Sequence, residues 1–334
     1  MAKTYAGWAY NVCQLGREVT KGTAVAATTI WRGAFGGFKD DRKRETAEED
    51  VGILANAERS FDTFHGATAQ IPDTPLTFEQ VLHLFEAGIG TVSPTGAGPY
   101  VYAYAPSLTD TPNTIKSYTL RIGNKVATAD QRLIPYATMQ EIKLSGKQSE
   151  AWMMGGTWQG NRVTTGALTG ALSLAAVEEA IFAKTSLYID ATGGTIGTTQ
   201  KSGVLMGFEI TYQTGIEYVP VGDGELYATA HKMGRPRVNF SMTLELEQDT
   251  GVSTVNAERT FYESNTLRLI QLSVAGSSGR ALVLKLAAKY DAVTEASKEG
   301  DHNTVVTFEG HCDYSSTDAL FFSATVTNNV ATVP

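Results

Sequence analysis

Residues 118–158 read YTLRIGNKVATADQRLIPYATMQEIKLSGKQSEAWMMGGTW. Thr119-Leu120-Arg121-Ile122 alternates apolar with polar, a polar excursion follows, and residues 139–144 alternate again. Ser145-Gly146-Lys147 then makes a turn, and an aromatic-rich run closes the stretch. Strict alternation marks a strand with one buried face, because successive side chains point to opposite sides. The same order returns more faintly over residues 280–326. Val283-Leu284-Lys285-Leu286 alternates, 294–303 is polar, 304–308 alternates, 310–317 turns and 319–326 closes. The pattern is that of one β unit used twice.

Working outward, residues 238–247 (VNFSMTLELE) form the most regular strand pattern, and 208–212 and 216–219 alternate beside it. Gly222-Asp223-Gly224 is a hairpin-type turn signal. Residues 77–86 predict a helix: Thr77 and Gln80 match a capping box, and Phe78, Val81, Leu82 and Phe85 make one apolar stripe. Residues 256–265 predict a second, weaker helix. A strand over 57–65 leads to the first helix, and the strand over 238–247 leads to the second. This recurrence of order predicts an internal duplication with copies of about 150 residues, an ordinary domain size. The expected division is an N-terminal arm (1–28), a first β unit (29–160), a connection (161–203) holding a short helix over 167–183, and a second β unit (204–334). Within the first unit, 29–38 reads as a strand with a bulge and 51–65 as another. Between them lies the densest charge run in the chain: Lys39, Asp40, Asp41, Arg42, Lys43, Arg44, Glu45, Glu48, Glu49 and Asp50. Its placement predicts a long exposed connection, either a solvated loop or a contact arm. The fold class expected is mainly β with short helices.

Bulk properties exclude several functions. A net charge of −8 argues against a nucleic-acid binder, which needs a basic face. Cys13 and Cys312 are the only cysteines, too few for a disulfide framework or a zinc site. No stretch approaches the roughly 20 apolar residues of a membrane span, and the N-terminus lacks a signal-peptide core, so synthesis and assembly in a cytoplasm are expected. Among five histidines, His83 falls off the helix stripe and reads as a surface residue, while His302 and His311 lie near Cys312 and Asp313. Neighbours in a strand face opposite ways, so His311 and Cys312 do not form a nucleophile pair. Neither a phosphate-binding glycine loop nor a HExxH or EF-hand pattern occurs, and carboxylate pairs carry no signal in a chain with 35 acids. Neither an enzyme nor a cofactor is expected. A long, β-rich, acidic chain of this kind reads as a building block.

Several stretches together resemble the tail tube (major tail) proteins of long-tailed, non-contractile bacteriophages. They are Pro75-Leu76-Thr77-Phe78 through Gly90, Tyr118-Thr119-Leu120-Arg121-Ile122-Gly123, and residues 136–146 ending Ile142-Lys143-Leu144-Ser145-Gly146. Phe208-Glu209-Ile210, residues 240–247, Phe308-Glu309-Gly310 and Ser316-Thr317-Asp318-Ala319 complete them. The likeness covers most of the chain and is one of type and order. It implies tandem β-sandwich or half-barrel units flanked by helices, whose inner sheets join into a continuous β-barrel around a lumen. Its partner is the chain itself, as trimeric pseudo-hexameric rings stacked helically, with hexameric rings as the alternative. By the same resemblance, tail terminator, tape measure and distal tail proteins are neighbours, DNA passes through without specific binding, and the location is the virion tail. A β-sandwich adhesin or carbohydrate-binding module would share the strand patterns and would not polymerise.

Side-chain parity names a candidate lining. In 238–247 the apolar Phe240, Met242, Leu244 and Leu246 share one face and Ser241, Thr243, Glu245 and Glu247 the other. The same parity buries Phe208, Ile210 and Tyr212 and turns out Glu209; in 216–219 it turns out Glu217. Glu209, Glu217, Glu245 and Glu247, with Asp62 from the first half, are the expected acidic lining that repels DNA.

Overall fold

Among the described residues, eighteen strands and two α-helices follow one another. The first half forms β1 (Asn11–Arg17), β2 (Thr29–Ile30), β3 (Phe38–Thr46), β4 (Ser60–Pro75), α1 (Val81–Gly88), β5 (Tyr100–Tyr104), β6 (Tyr118–Asn124), β7 (Arg132–Lys147), β8 (Met153–Gly160) and β9 (Thr164–Thr165). The second forms β10 (Thr185–Ala191), β11 (Leu205–Gln213), β12 (Ile216–Val219), β13 (Ala230–Met233), β14 (Arg237–Glu245), α2 (Thr254–Glu263), β15 (Arg268–Ala275), β16 (Ala281–Ala296), β17 (Val305–Cys312) and β18 (Phe322–Asn328). The computed structural model describes residues 7–54, 59–247, 253–296 and 304–334. The expected strand over 51–65 and the polar excursion over 294–303 lie partly outside these residues, as does His302.

The two longest strands of their halves after the helices, β7 and β16, each span 16 residues and belong to two layers. The N-terminal part of β7 pairs with β6, which pairs with β1. Beyond a register shift at Met139/Glu141, β7 continues beside β8, then β4, then β3. The second half repeats the order. β16 pairs with β15, which pairs with β10. Beyond a shift at Tyr290/Ala292 it continues beside β17, then β14, then β11. A bulge bends the strand that carries it, so one long strand can serve both layers. The halves join where β11 pairs with the C-terminal part of β7. The inner layer therefore runs β3-β4-β8-β7-β11-β14-β17-β16, antiparallel throughout. In the outer layer of the second half, β18 pairs with β16 and also with β5 from the first half.

One hydrophobic core fills the space between these layers and crosses the junction. Phe240, Met242 and Leu244 are buried on β14, as are Phe208, Ile210 and Tyr212 on β11. Burying each such side chain contributes about 1.5–3 kcal/mol. Trp152 of the first half packs edge-on against Phe208 of the second, with ring centroids 4.6 Å apart. Helix α1 packs on β7 and α2 on β16.

The described helices match the two predicted from sequence, with shifted ends. Ser253 caps α2 by accepting a hydrogen bond from the Asn256 amide at 3.1 Å. Helix α1 is buried on every side, so His83 and Glu86 are interior residues and the surface reading of His83 is corrected. The stretch 167–183 holds no α-helix, only the start of a single 3-10 turn at Phe182–Lys184. Residues 1–28, read as an arm, hold β1, and residues 161–203, read as a connection, hold β10. Short strands of this kind are held by their neighbours more than by their own pattern. The charge run is no loop either: Lys39 to Glu45 lie in β3, paired along their length with β4.

Candidate functional site

The inner sheet has one face on the core and one away from it. Its register sets residues of the second face in rows. One row is Met153, Ser145, Glu209, Ser241, Glu309 and Ala292, and the next is Gly155, Lys143, Thr211, Asn239, His311 and Lys289. Thr243 and Thr307 stand opposite each other with hydroxyls 3.0 Å apart. Period-two alternation places all of these on one face as soon as their neighbours are buried.

The lysines and the histidine of this face are paired with acids. Lys143 Nζ lies 2.9 Å from Glu209, and that hydrogen bond raises the Lys143 pKa. His311 Nδ1 lies 2.6 Å from Asp291, its Nε2 lies 3.5 Å from Asp313, and Lys289 Nζ lies 3.4 Å from the same Asp313. The surface is hydroxyl- and amide-rich, with ions of both signs close together.

Of the five expected acids, Glu209 and Glu245 occupy this face, on β11 and β14. Glu217 does not. It sits on β12, which among the described residues pairs only with β13 in a separate small sheet, and its carboxylate meets Lys232 Nζ at 2.7 Å. The chain turns away between the two strands at Gly215, where φ is +71°. Parity therefore starts afresh and is not inherited from β11. Glu247 lies beyond the end of β14 and accepts a hydrogen bond from the Thr254 amide at 2.6 Å. There it opposes the partial positive charge at the start of α2. Asp62 lies on the outer part of β4, beyond the reach of β8, beside Arg44 at 2.7 Å and Arg42 at 3.7 Å. The hydrogen bond from Arg44 holds its carboxyl below the usual carboxylate range. Glu309 belongs to the face and was not among the expected acids. The burial of Val306, Phe308 and Gly310 in the same strand is the parity signal that finds it.

The ends of the sheet are open. Among the described residues β3 pairs only with β4, and the part of β16 beyond Tyr290 pairs only with β17. An open edge offers unpaired N–H and C=O groups to another strand, and lysines and alternating charges discourage promiscuous pairing there. Strand β3 carries such charges, several of them paired within β3 or with β4. Lys39 meets Asp41, Arg42 Nε lies 3.0 Å from Asp40, and Arg44 reaches Asp62. Glu48, Glu49 and Asp50 follow in the connection, where Glu49 meets Arg59.

The two cysteines lie in different strands, β1 and β17. Both thiols are buried, and burial pushes Cys13 up to about 12 and Cys312 higher still. His311 and Cys312 differ in exposure as strand neighbours should: Cys312 is buried and His311 lies on the polar face. Among the described residues, acids, histidines and cysteines form no group of three able to hold a metal ion, and no helix is long and apolar enough to cross a membrane. Neither a family model nor a curated relative matches the sequence.

Proposed function

We propose that this chain is a structural subunit that closes into a ring with copies of itself by strand pairing, and that rings stack into a tube with the polar sheet face turned to the bore. The observation that carries this reading is the junction between β7 and β11. There, the C-terminal part of a 16-residue strand pairs with the outermost strand of the other half. The corresponding part of β16 offers the same kind of edge, and β3 holds in the first half the place that β11 holds in the second. Setting β3 of one copy against β16 of the next repeats the junction and removes both edges at once. Such a head-to-tail contact closes into a ring when its rotation divides the circle.

In this reading the two halves are tandem copies of one β-sandwich unit. Three chains then give a ring with pseudo-sixfold symmetry, its inner sheets continuous around the bore. The resemblance to tail tube proteins of long-tailed, non-contractile bacteriophages supports the same conclusion. With it come a place in the virion tail, assembly in the bacterial host, and tail terminator, tape measure and distal tail proteins as neighbours. DNA passing through would meet hydroxyls, amides and lysines already paired with acids. That surface favours passage without adhesion, because adhesion requires cations free to replace the counterions of DNA.

Electron microscopy of the purified protein with rotational averaging tests the reading. Rings and tubes with threefold, pseudo-sixfold symmetry are expected. A monomer at every concentration would overturn the assembly, and true sixfold symmetry with one chain per unit would overturn the tandem arrangement.

A further inference from the structure

We infer that successive rings are held by an apolar plug: residues 51–54 of one copy seat in an aromatic groove beside Trp8 in the next copy. This rests on the self-assembly reading and identifies the contact within it.

Two features left unsatisfied in one chain point to it. The connection after β3 exposes Val51, Ile53 and Leu54, at 60, 65 and 111% of full exposure. Exposed aliphatic residues gathered within four positions mark an interaction site. A groove of about 550 Å³ lies elsewhere, walled by Trp8, Phe35 and Phe38 and floored by Cys13, Trp31 and Ile122. Trp8 on its rim is 86% exposed.

Strand β3 connects the two. Phe38 at the groove is its first residue, and the aliphatic residues follow its last, Thr46. Nine paired residues at about 3.3 Å each hold the plug roughly 30 Å from the groove of its own chain. Because β3 is paired with β4 along its length, the plug cannot fold back. A second copy displaced along the hairpin by about the stem length brings its groove to the plug. A contact between two different surfaces of one chain propagates, as stacking requires. Of the stem charges, Lys39, Asp40, Asp41, Arg42 and Arg44 pair within the hairpin, which leaves the apolar residues beyond them as the main adhesive part. The groove's own acid, Asp130, is paired with Arg132 at 3.0 Å, and exposed Lys125 nearby, whose amide bonds the Tyr10 carbonyl at 3.0 Å, is opposite in sign to exposed Glu48 and Asp50 beside the plug. That complementarity orients the docking.

The test places a photo-cross-linking benzoylphenylalanine at Leu54 in the full chain, with Val19, itself 90% exposed, as the control position. Irradiation followed by peptide mapping is expected to give at least tenfold more intermolecular product from Leu54, joined to residues 8–13 or 31–38. Equal yields, or products joined elsewhere, overturn the plug even if tubes form. In parallel, Ile53→Asp with Leu54→Asp is expected to leave single rings and remove tubes. Tubes of ordinary length from that variant also overturn it. Rings absent from the wild-type protein would instead count against the assembly reading, while the cross-link still reports on the plug.

Discussion

Gly156 and Gly310 hold corresponding places against the bends of the two long strands. A Cβ on Gly156 would lie 2.2 Å from the Glu141 carbonyl oxygen of β7, and one on Gly310 would lie 1.9 Å from the Lys289 carbonyl oxygen of β16. Each glycine thus lets a backbone pass beside a bulge, where a side chain would collide with main chain that cannot move aside. Either Gly156→Ala or Gly310→Ala is expected to cost about 3 kcal/mol. Gly170→Ala, with open space around it, should be nearly neutral. Thermal and urea unfolding of the three variants measure this, and equal stability of all three would refute the account of the bends.

Each helix carries a buried glutamate bound to an arginine and a tyrosine. In α2, Glu258 accepts two hydrogen bonds of 2.9 Å from Arg268 and one of 3.0 Å from the Tyr290 hydroxyl. In α1, Glu86 faces Arg17 and accepts from the Tyr118 hydroxyl at 3.0 Å. Removing one partner of a buried ion pair strands the other charge, so Arg268→Met is expected to cost about 3–5 kcal/mol. Replacing both partners, Arg268→Met with Glu258→Leu, should cost less than the single change. Urea denaturation of the two variants decides this; a double variant less stable than the single one would contradict it.

Acid sensitivity follows from His83. Burial, aided by the charge of Arg17, lowers its pKa from 6.5 to about 3, and its Nδ1 lies 3.2 Å from the Tyr118 hydroxyl. The unfolded chain therefore binds a proton that the folded one refuses, and stability is lost as pH falls from about 6.5 towards 3. Each unit of pKa shift corresponds to about 1.4 kcal/mol, so His83 alone should remove about 2 kcal/mol between pH 7 and pH 5. Glu86 acts in the opposite sense. Burial raises its pKa, so its contribution is present below the ordinary carboxyl value and is lost as pH rises through the folded one. His83→Gln isolates the histidine: the change in urea midpoint between pH 7 and pH 5 should shrink by that amount. An unchanged pH dependence would show that His83 titrates normally.

Sequence alone determined the strands whose alternation is strong and the faces they bury. Phe240, Met242 and Leu244, and likewise Phe208, Ile210 and Tyr212, lie inward as their period-two spacing requires. Both helices were also legible, the first by its 3.6-residue stripe, a local signal, and the second more weakly. Tertiary structure decided what local pattern does not encode. The run Lys39 to Glu45 has the composition of a loop, yet β4 supplies its hydrogen bonds and makes it a strand. His83 lies off the apolar stripe of α1, yet packing on all sides of that helix buries it. Glu217 shares the alternation of its neighbours, yet one turn at Gly215 carries it to another sheet, while Glu247 is drawn to the start of α2. Parity along a strand fixes which residues share a face. Only the pairing of strands distant in sequence fixes which sheet that face belongs to, and so where the open edges fall.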